Sequence, residues 1–220
     1  SWVQGRPQPL TIYGPQGVAE VTNGVNATYR QDRIHRTGHH GEDLLPPALG
    51  VLAHKTIVPG IILDDGDLKI TAYLAEHPPI HPAVGYRFDY RGRSVVISGD
   101  SNVTSETLKI VDGADLLLHD ALSLPTVTAL SEALGAVGQS RQSKIVSDVM
   151  DYHASTDSLI VLAEQSNVDM VAFYHLVPVP PNSVVEDIFM RGAPDNFLLT
   201  EDLMWFDLPI DSDDIIVHRP

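Results

Sequence analysis

The 220-residue sequence contains no cysteine. Disulfides and thiolate metal sites are therefore excluded, and any metal would have to be held by histidine and carboxylate. Positive charge is also scarce. Fourteen Lys and Arg face 29 Asp and Glu, a formal charge of −15. That balance argues against duplex DNA or RNA as a main partner, because such binding depends on cations that neutralise phosphates. No apolar run approaches the roughly 20 residues of a membrane span. No signal peptide is visible, but the chain starts at Ser1 rather than Met, so the compartment stays open between cytoplasmic and exported. Length and composition fit one soluble domain over residues 1–220 with a sizeable core.

The stretch from Ala75 to Asp100 organises what is present. It starts with His77 in a proline-interrupted segment, continues as two strands, Gly85–Tyr90 and Ser94–Ser98, and ends in Ser98-Gly99-Asp100. Two further histidines follow short apolar runs in the same manner: His119 after Ala114–Leu118 and His175 after Met170–Tyr174. Rigid strand ends suit the presentation of ligands, so the pattern suggests a metal site.

Elsewhere, Leu10–Tyr13 reads as a strand and Gln16–Tyr29 as a weak helix. Arg30–Pro47, with His35, His39 and His40 among three arginines, reads as a loop or broken helix. Ile57–Leu63 and Asp67–Leu74 form a hairpin around Asp64-Asp65-Gly66. Helices are predicted over Thr104–Val111, Thr126–Val137, Ser155–Ser166 and Val184–Met190, with a mobile turn over Gly138–Lys144. Phe197–Leu199 and Leu203–Phe206 read as a closing hairpin, and Asp211–Asp214 as a frayed tail. Hairpins early and alternating strands and helices late imply an α+β fold, a mixed sheet covered by helices.

GYRFDYRGRSVVISGDS, with PLTIYGP, LLLHDA, DYHAS and YHLVPVPPN in order, resembles the metallo-β-lactamase superfamily in its ribonuclease Z and arylsulfatase-like branch. The resemblance covers most of the chain. It implies an αββα sandwich holding a dinuclear zinc site, with Mn or Fe as alternative metals. It places His77, Asp100 and His175 as metal ligands, Asp100 bridging. It makes His153 the catalytic acid and Asp120 the carboxylate that orients it. His81 is an alternative to His77, although the spacing to GYRF favours His77. His119 is left between a supporting and a structural role.

The family's His-x-His-x-Asp-His hallmark is absent, so the chain looks like the C-terminal two-thirds of a member. Only 22 residues separate His77 from Asp100, too few for the RNA-gripping arm of bacterial ribonuclease Z. The expected function is hydrolysis of a small ester (aryl sulfate, phosphodiester or lactone) by a metal-bound hydroxide, with RNA and DNA disfavoured as partners. The alternatives are a truncated, non-catalytic relative and an RNA phosphodiesterase of the ribonuclease Z type. The resemblance also implies a homodimer.

Overall fold

The computed structural model describes residues 2–220, which form two compact units, one ending at Val58 and the other spanning Pro59–Pro220. In the first, β1 (Leu10–Gly14) is followed by α1 (Val18–Thr28), α2 (Arg30–His40) and β2 (Leu52–Thr56). β1 and β2 pair in parallel, Leu10 opposite Leu52. The Asn26 side chain brackets β2, donating to the Leu52 carbonyl at 2.9 Å and accepting from its N–H at 2.8 Å.

The sequence reading of Arg30–Pro47 as a loop or broken helix is corrected here. Arg30–His40 is a regular helix, stopped by Gly41 at φ 90°. It has no apolar stripe, so periodicity does not announce it. Two tertiary bonds secure it instead. Arg33 donates to the Asn26 carbonyl at 2.6 Å, and the Thr37 hydroxyl donates to the Leu45 carbonyl at 3.0 Å.

The second unit runs β3 (Gly60–Asp64), β4 (Leu68–His77), β5 (Ile80–Tyr90), β6 (Arg93–Ile97), α3 (Ser105–Val111), β7 (Leu116–Leu122), α4 (Leu124–Ala136), α5 (Ser140–Asp148), α6 (Thr156–Gln165), β8 (Met170–Val177), α7 (Ser183–Phe189), β9 (Phe197–Leu199), β10 (Trp205–Asp207) and β11 (Ile216–His218). Strands β3 to β9 lie in sequence order in one sheet. Neighbours are antiparallel from β3 to β6 and parallel from β6 to β9. The parallel half needs helical crossovers, which α3 and α6 supply. Both are capped by side chains: Thr104 accepts from the Thr107 N–H and Ser155 from the Ser158 N–H. One sheet face contributes Val96, Leu117, Val171, Phe173 and Phe197 to the core. Val111, Leu159, Leu162 and Phe189 from α3, α6 and α7 pack in the same cluster.

Several expectations are overturned, all where partner choice is not local. Ile57 and Val58 lie outside β3, because Pro59 and Gly60 at φ 132° interrupt the run. Gly138–Lys144 is not a mobile turn: α5 begins at Ser140 and carries an i,i+4 ion pair between Lys144 and Asp148. Phe197–Leu199 and Leu203–Phe206 do not pair with each other. β9 joins β8 in parallel, and β10 pairs with β11. The acidic tail is tied down, since Arg93 donates to the Ser212 and Asp214 carbonyls before the chain enters β11.

Tyr73 on β4 faces Gly85 on β5 across the ladder, and its ring lies over that glycine. A Cβ at Gly85 would sit 2.4 Å from the ring. Gly85→Ala is therefore expected to destabilise the protein by about 1–3 kcal/mol through overpacking. Urea denaturation of Gly85→Ala, Tyr73→Leu and the double variant checks this. The two losses should be clearly non-additive, the double variant recovering much of the glycine's cost.

Candidate metal centre

Three backbone clamps assemble the site. The Asn102 N–H donates to the Glu76 carbonyl at 2.9 Å, which brings the end of β4, with His77, beside the turn after β6, with Asp100. The Asn102 side chain donates to the Asp151 carbonyl at 2.8 Å, and the Leu122 N–H donates to the Ala154 carbonyl at 2.7 Å. These last two hold the segment carrying His153 between that turn and the end of β7. The turn itself needs Gly99. Its φ is 67°, and a Cβ there would meet the Val84 carbonyl oxygen at 3.0 Å.

The sequence reading placed His119 and His175 just past strand ends. Both lie inside longer strands: β7 runs to Leu122 and β8 to Val177. His175 is the extra residue of a bulge. Asp120 pairs with Tyr174 and Ala121 with Leu176, leaving His175 unpaired at φ 44°. A non-glycine residue in this left-handed region is strained, and bulges re-aim side chains. Here the His175 Nε2 comes to 3.4 Å from the Asp100 carboxylate.

His77, Asp100 and His153 each offer one donor atom, and these atoms lie within 4.8 Å of one another. The His153 ring centroid is 5.6 Å from that of His77 and 5.4 Å from that of His175. Tyr152 packs against both His77 and His153. His81, by contrast, is exposed on β5 and outside this group. An all-nitrogen-and-oxygen donor set of two imidazoles and a carboxylate suits zinc or another borderline divalent cation.

Asp120 lies behind this group and is fully buried. Its carboxylate accepts from His153 Nδ1 at 2.7 Å and lies 2.9 Å from His119 Nδ1. It also accepts from the Ser101 N–H at 3.1 Å. Burial alone would raise its pKa, yet the hydrogen bonds and charges of His119 and His153 hold it below the ordinary carboxylate value. Because Nδ1 of His153 is engaged, its Nε2 is the nitrogen free to face His77 and Asp100. His119 is fully buried, with Nε2 unpartnered among the described residues. Burial and neighbouring carboxylates push the Tyr174 phenol up, which keeps it a neutral donor. Sequence reasoning missed Tyr152, Ser101 and Tyr174. Only their adjacency to His153, Asp100 and His175 signals them.

No protein-family model matches the chain. A ribonuclease Z of Mycobacterium avium is 30% identical over 172 residues, covering 78% of this chain and 56% of the relative. The chain thus spans a little over half the length of that relative. Among solved structures, the metallo-β-lactamase fold protein YhfI of Bacillus subtilis superposes with a TM-score of 0.54 at 14% identity. It covers 90% of this chain and 65% of its own. Zinc-bound PqqB of Methylobacterium extorquens gives 0.53 at 14% identity, covering 91% and 63%.

The chain belongs to the metallo-β-lactamase superfamily, in its ribonuclease Z-like branch. Its seven-stranded mixed sheet with flanking helices is that fold. No helix among the described residues is long and apolar enough to cross a membrane.

Linkage fixes how Asp120 affects stability. Its folded pKa lies below its unfolded value. The stabilisation is therefore fully present above the unfolded pKa of about 4, and is lost as pH falls through the folded pKa. Asp120→Asn should cost about 3 kcal/mol at pH 6, where it breaks a buried pair. It should also flatten the acid limb of stability between about pH 5 and pH 2. Urea unfolding across that range checks both points, the wild type losing stability more steeply.

Proposed function

We propose that this chain carries part of the active site of a metal-dependent phosphodiester hydrolase, with RNA as the substrate class. The carrying observation is the convergence of His77, Asp100, His153 and His175 around one space, backed by the buried Asp120. Kinship to ribonuclease Z supports phosphodiester over sulfate or lactone chemistry. The short His77–Asp100 interval and the net charge of −15 favour a small ester. The sequence relationship weighs more, because it extends over 78% of the chain.

In this reading His77, Asp100 and His175 hold the metal. A divalent cation bound there supplies Lewis acidity and lowers the pKa of water. Asp120 fixes the His153 ring through Nδ1, so that Nε2 points at the reacting centre. His153 then donates its proton to the leaving oxygen of the ester, so the departing group leaves as a neutral alcohol. Asp100, 43% exposed, and His175, 48% exposed, stand at the solvent side, where substrate can reach them.

A second reading gives His153 Nε2 to the metal, because it lies within the same 4.8 Å group as His77 and Asp100. A ligating histidine also hydrogen-bonds a carboxylate through its other nitrogen. Metal content separates the two readings. Asp100→Asn should lower the metal bound to the purified protein, measured by elemental analysis, and abolish hydrolysis. His153→Ala should leave metal content near wild type. It should slow cleavage of a tRNA precursor about 10²–10⁴-fold, with a smaller loss on an activated aryl phosphodiester, whose leaving group needs no proton. Metal loss in His153→Ala would assign the ligand role. Full RNA cleavage by Asp100→Asn would end the hydrolase reading.

A further inference from the structure

An acidic protein that cleaves RNA must hold a polyanion against its own charge. That charge is not spread evenly. From Pro59 onward the chain has nine Lys and Arg against 25 Asp and Glu, whereas up to Val58 it has five against four. Nearly all the negative surplus therefore lies in the unit that carries His77, Asp100, His153 and His175. The first unit is close to neutral, and three of its five cations fall within one helix, α2.

α2 is unusually open. Arg30, Ile34, His35, Arg36, His39 and His40 are all exposed, while Thr37 alone is buried. Arg33 is half-buried and spent on the Asn26 carbonyl, so its role is structural. Arg30 has no hydrogen-bond or ion-pair partner among the described residues. Arg36 pairs only with Asp32, at 2.8 Å, where both side chains are 47% exposed. An exposed pair of this kind is worth little and exchanges readily for another anion. His35 and His39 are one helical turn apart and therefore share a face, and neither imidazole makes a hydrogen bond among the described residues. At the start of the helix, the Tyr29 ring is 58% exposed, a platform on which a base can stack.

We infer that the exposed face of α2 is a phosphate-contacting surface for single-stranded RNA, with Arg30 and Arg36 on phosphates, His35 and His39 as hydrogen-bond donors, and Tyr29 as a stacking platform. The inference rests on RNA being the substrate class proposed above. Its physical basis is charge complementarity: a polyanion is repelled by the second unit and meets unpaired cations on this helix.

The test compares wild type with Arg30→Ala/Arg36→Ala and with Tyr29→Ala, using a tRNA precursor and a small aryl phosphodiester. Helical content by circular dichroism confirms that each variant folds. The double variant should bind the RNA about tenfold more weakly. The slope of log affinity against log salt should become shallower by about one unit, since each phosphate contact on a single strand contributes about 0.7. Turnover of the small phosphodiester should be unchanged. Tyr29→Ala should weaken RNA binding with no change in salt slope. RNA binding and slope equal to wild type in the double variant would overturn the inference while leaving the hydrolase proposal intact. Wild type that cleaves the small ester but binds no RNA would remove both the RNA substrate and this surface. Polyglutamate competing as well as RNA of equal charge would also overturn it, assigning the helix to an acidic peptide.

Discussion

One buried carboxylate organises the functional end of the sheet. Asp120 has no contact with solvent, and its oxygens are engaged by His153, His119 and the Ser101 N–H. A carboxylate in that position is costly unless it is hydrogen-bonded. Its bonds tie together three segments far apart in sequence: the end of β7, the turn after β6 and the loop before α6. The ionised state and the geometry sustain each other. Neutralising the carboxylate would weaken its hold on both imidazoles, and displacing either imidazole would leave a buried charge underpaired.

The rest of the site bears the marks of a functional constraint rather than of packing. His175 sits at positive φ on a bulge that breaks an otherwise regular parallel ladder between β7 and β8. Asp100 stands beyond a glycine that no other residue could replace without meeting the Val84 carbonyl. Such local irregularities cost stability, and the surrounding sheet supplies the rigidity that lets them persist. The core is on the other account: Phe173, Leu117 and Val96 are fully buried neighbours of the same strands, and regular throughout.

Charge distribution adds a second organising feature. The sheet-bearing unit is strongly acidic, while the preceding unit is nearly neutral and displays its arginines and histidines on one exposed helix. Relatedness to ribonuclease Z makes that division chemically meaningful, because an anionic polymer is attracted and repelled by different parts of one chain. A single net charge for the whole molecule conceals this and points toward small substrates.

Much of the fold was legible in the residues. Apolar runs bounded by Gly, Asp and Ser locate β4 to β8, and cap residues such as Thr104 and Ser155 mark their helices, because these signals are local. The ordered motifs around SGD, LLLHDA and DYHAS single out His77, Asp100, Asp120, His153 and His175 before any contact is known. The pairing of β9 with β8, the closure of β10 on β11 and the helical state of α2 lay beyond reach. Each depends on a partner far along the chain, as in Arg93 holding the Ser212 and Asp214 carbonyls. The same limit applies to the site. The sequence by itself determined which donors the protein has and excluded sulfur. Only the tertiary structure decided that His175 enters the site through a strained bulge, that His81 stays out, and that His153 shares the space of His77 and Asp100. Those outcomes depend on register and backbone clamps, which long-range pairing sets.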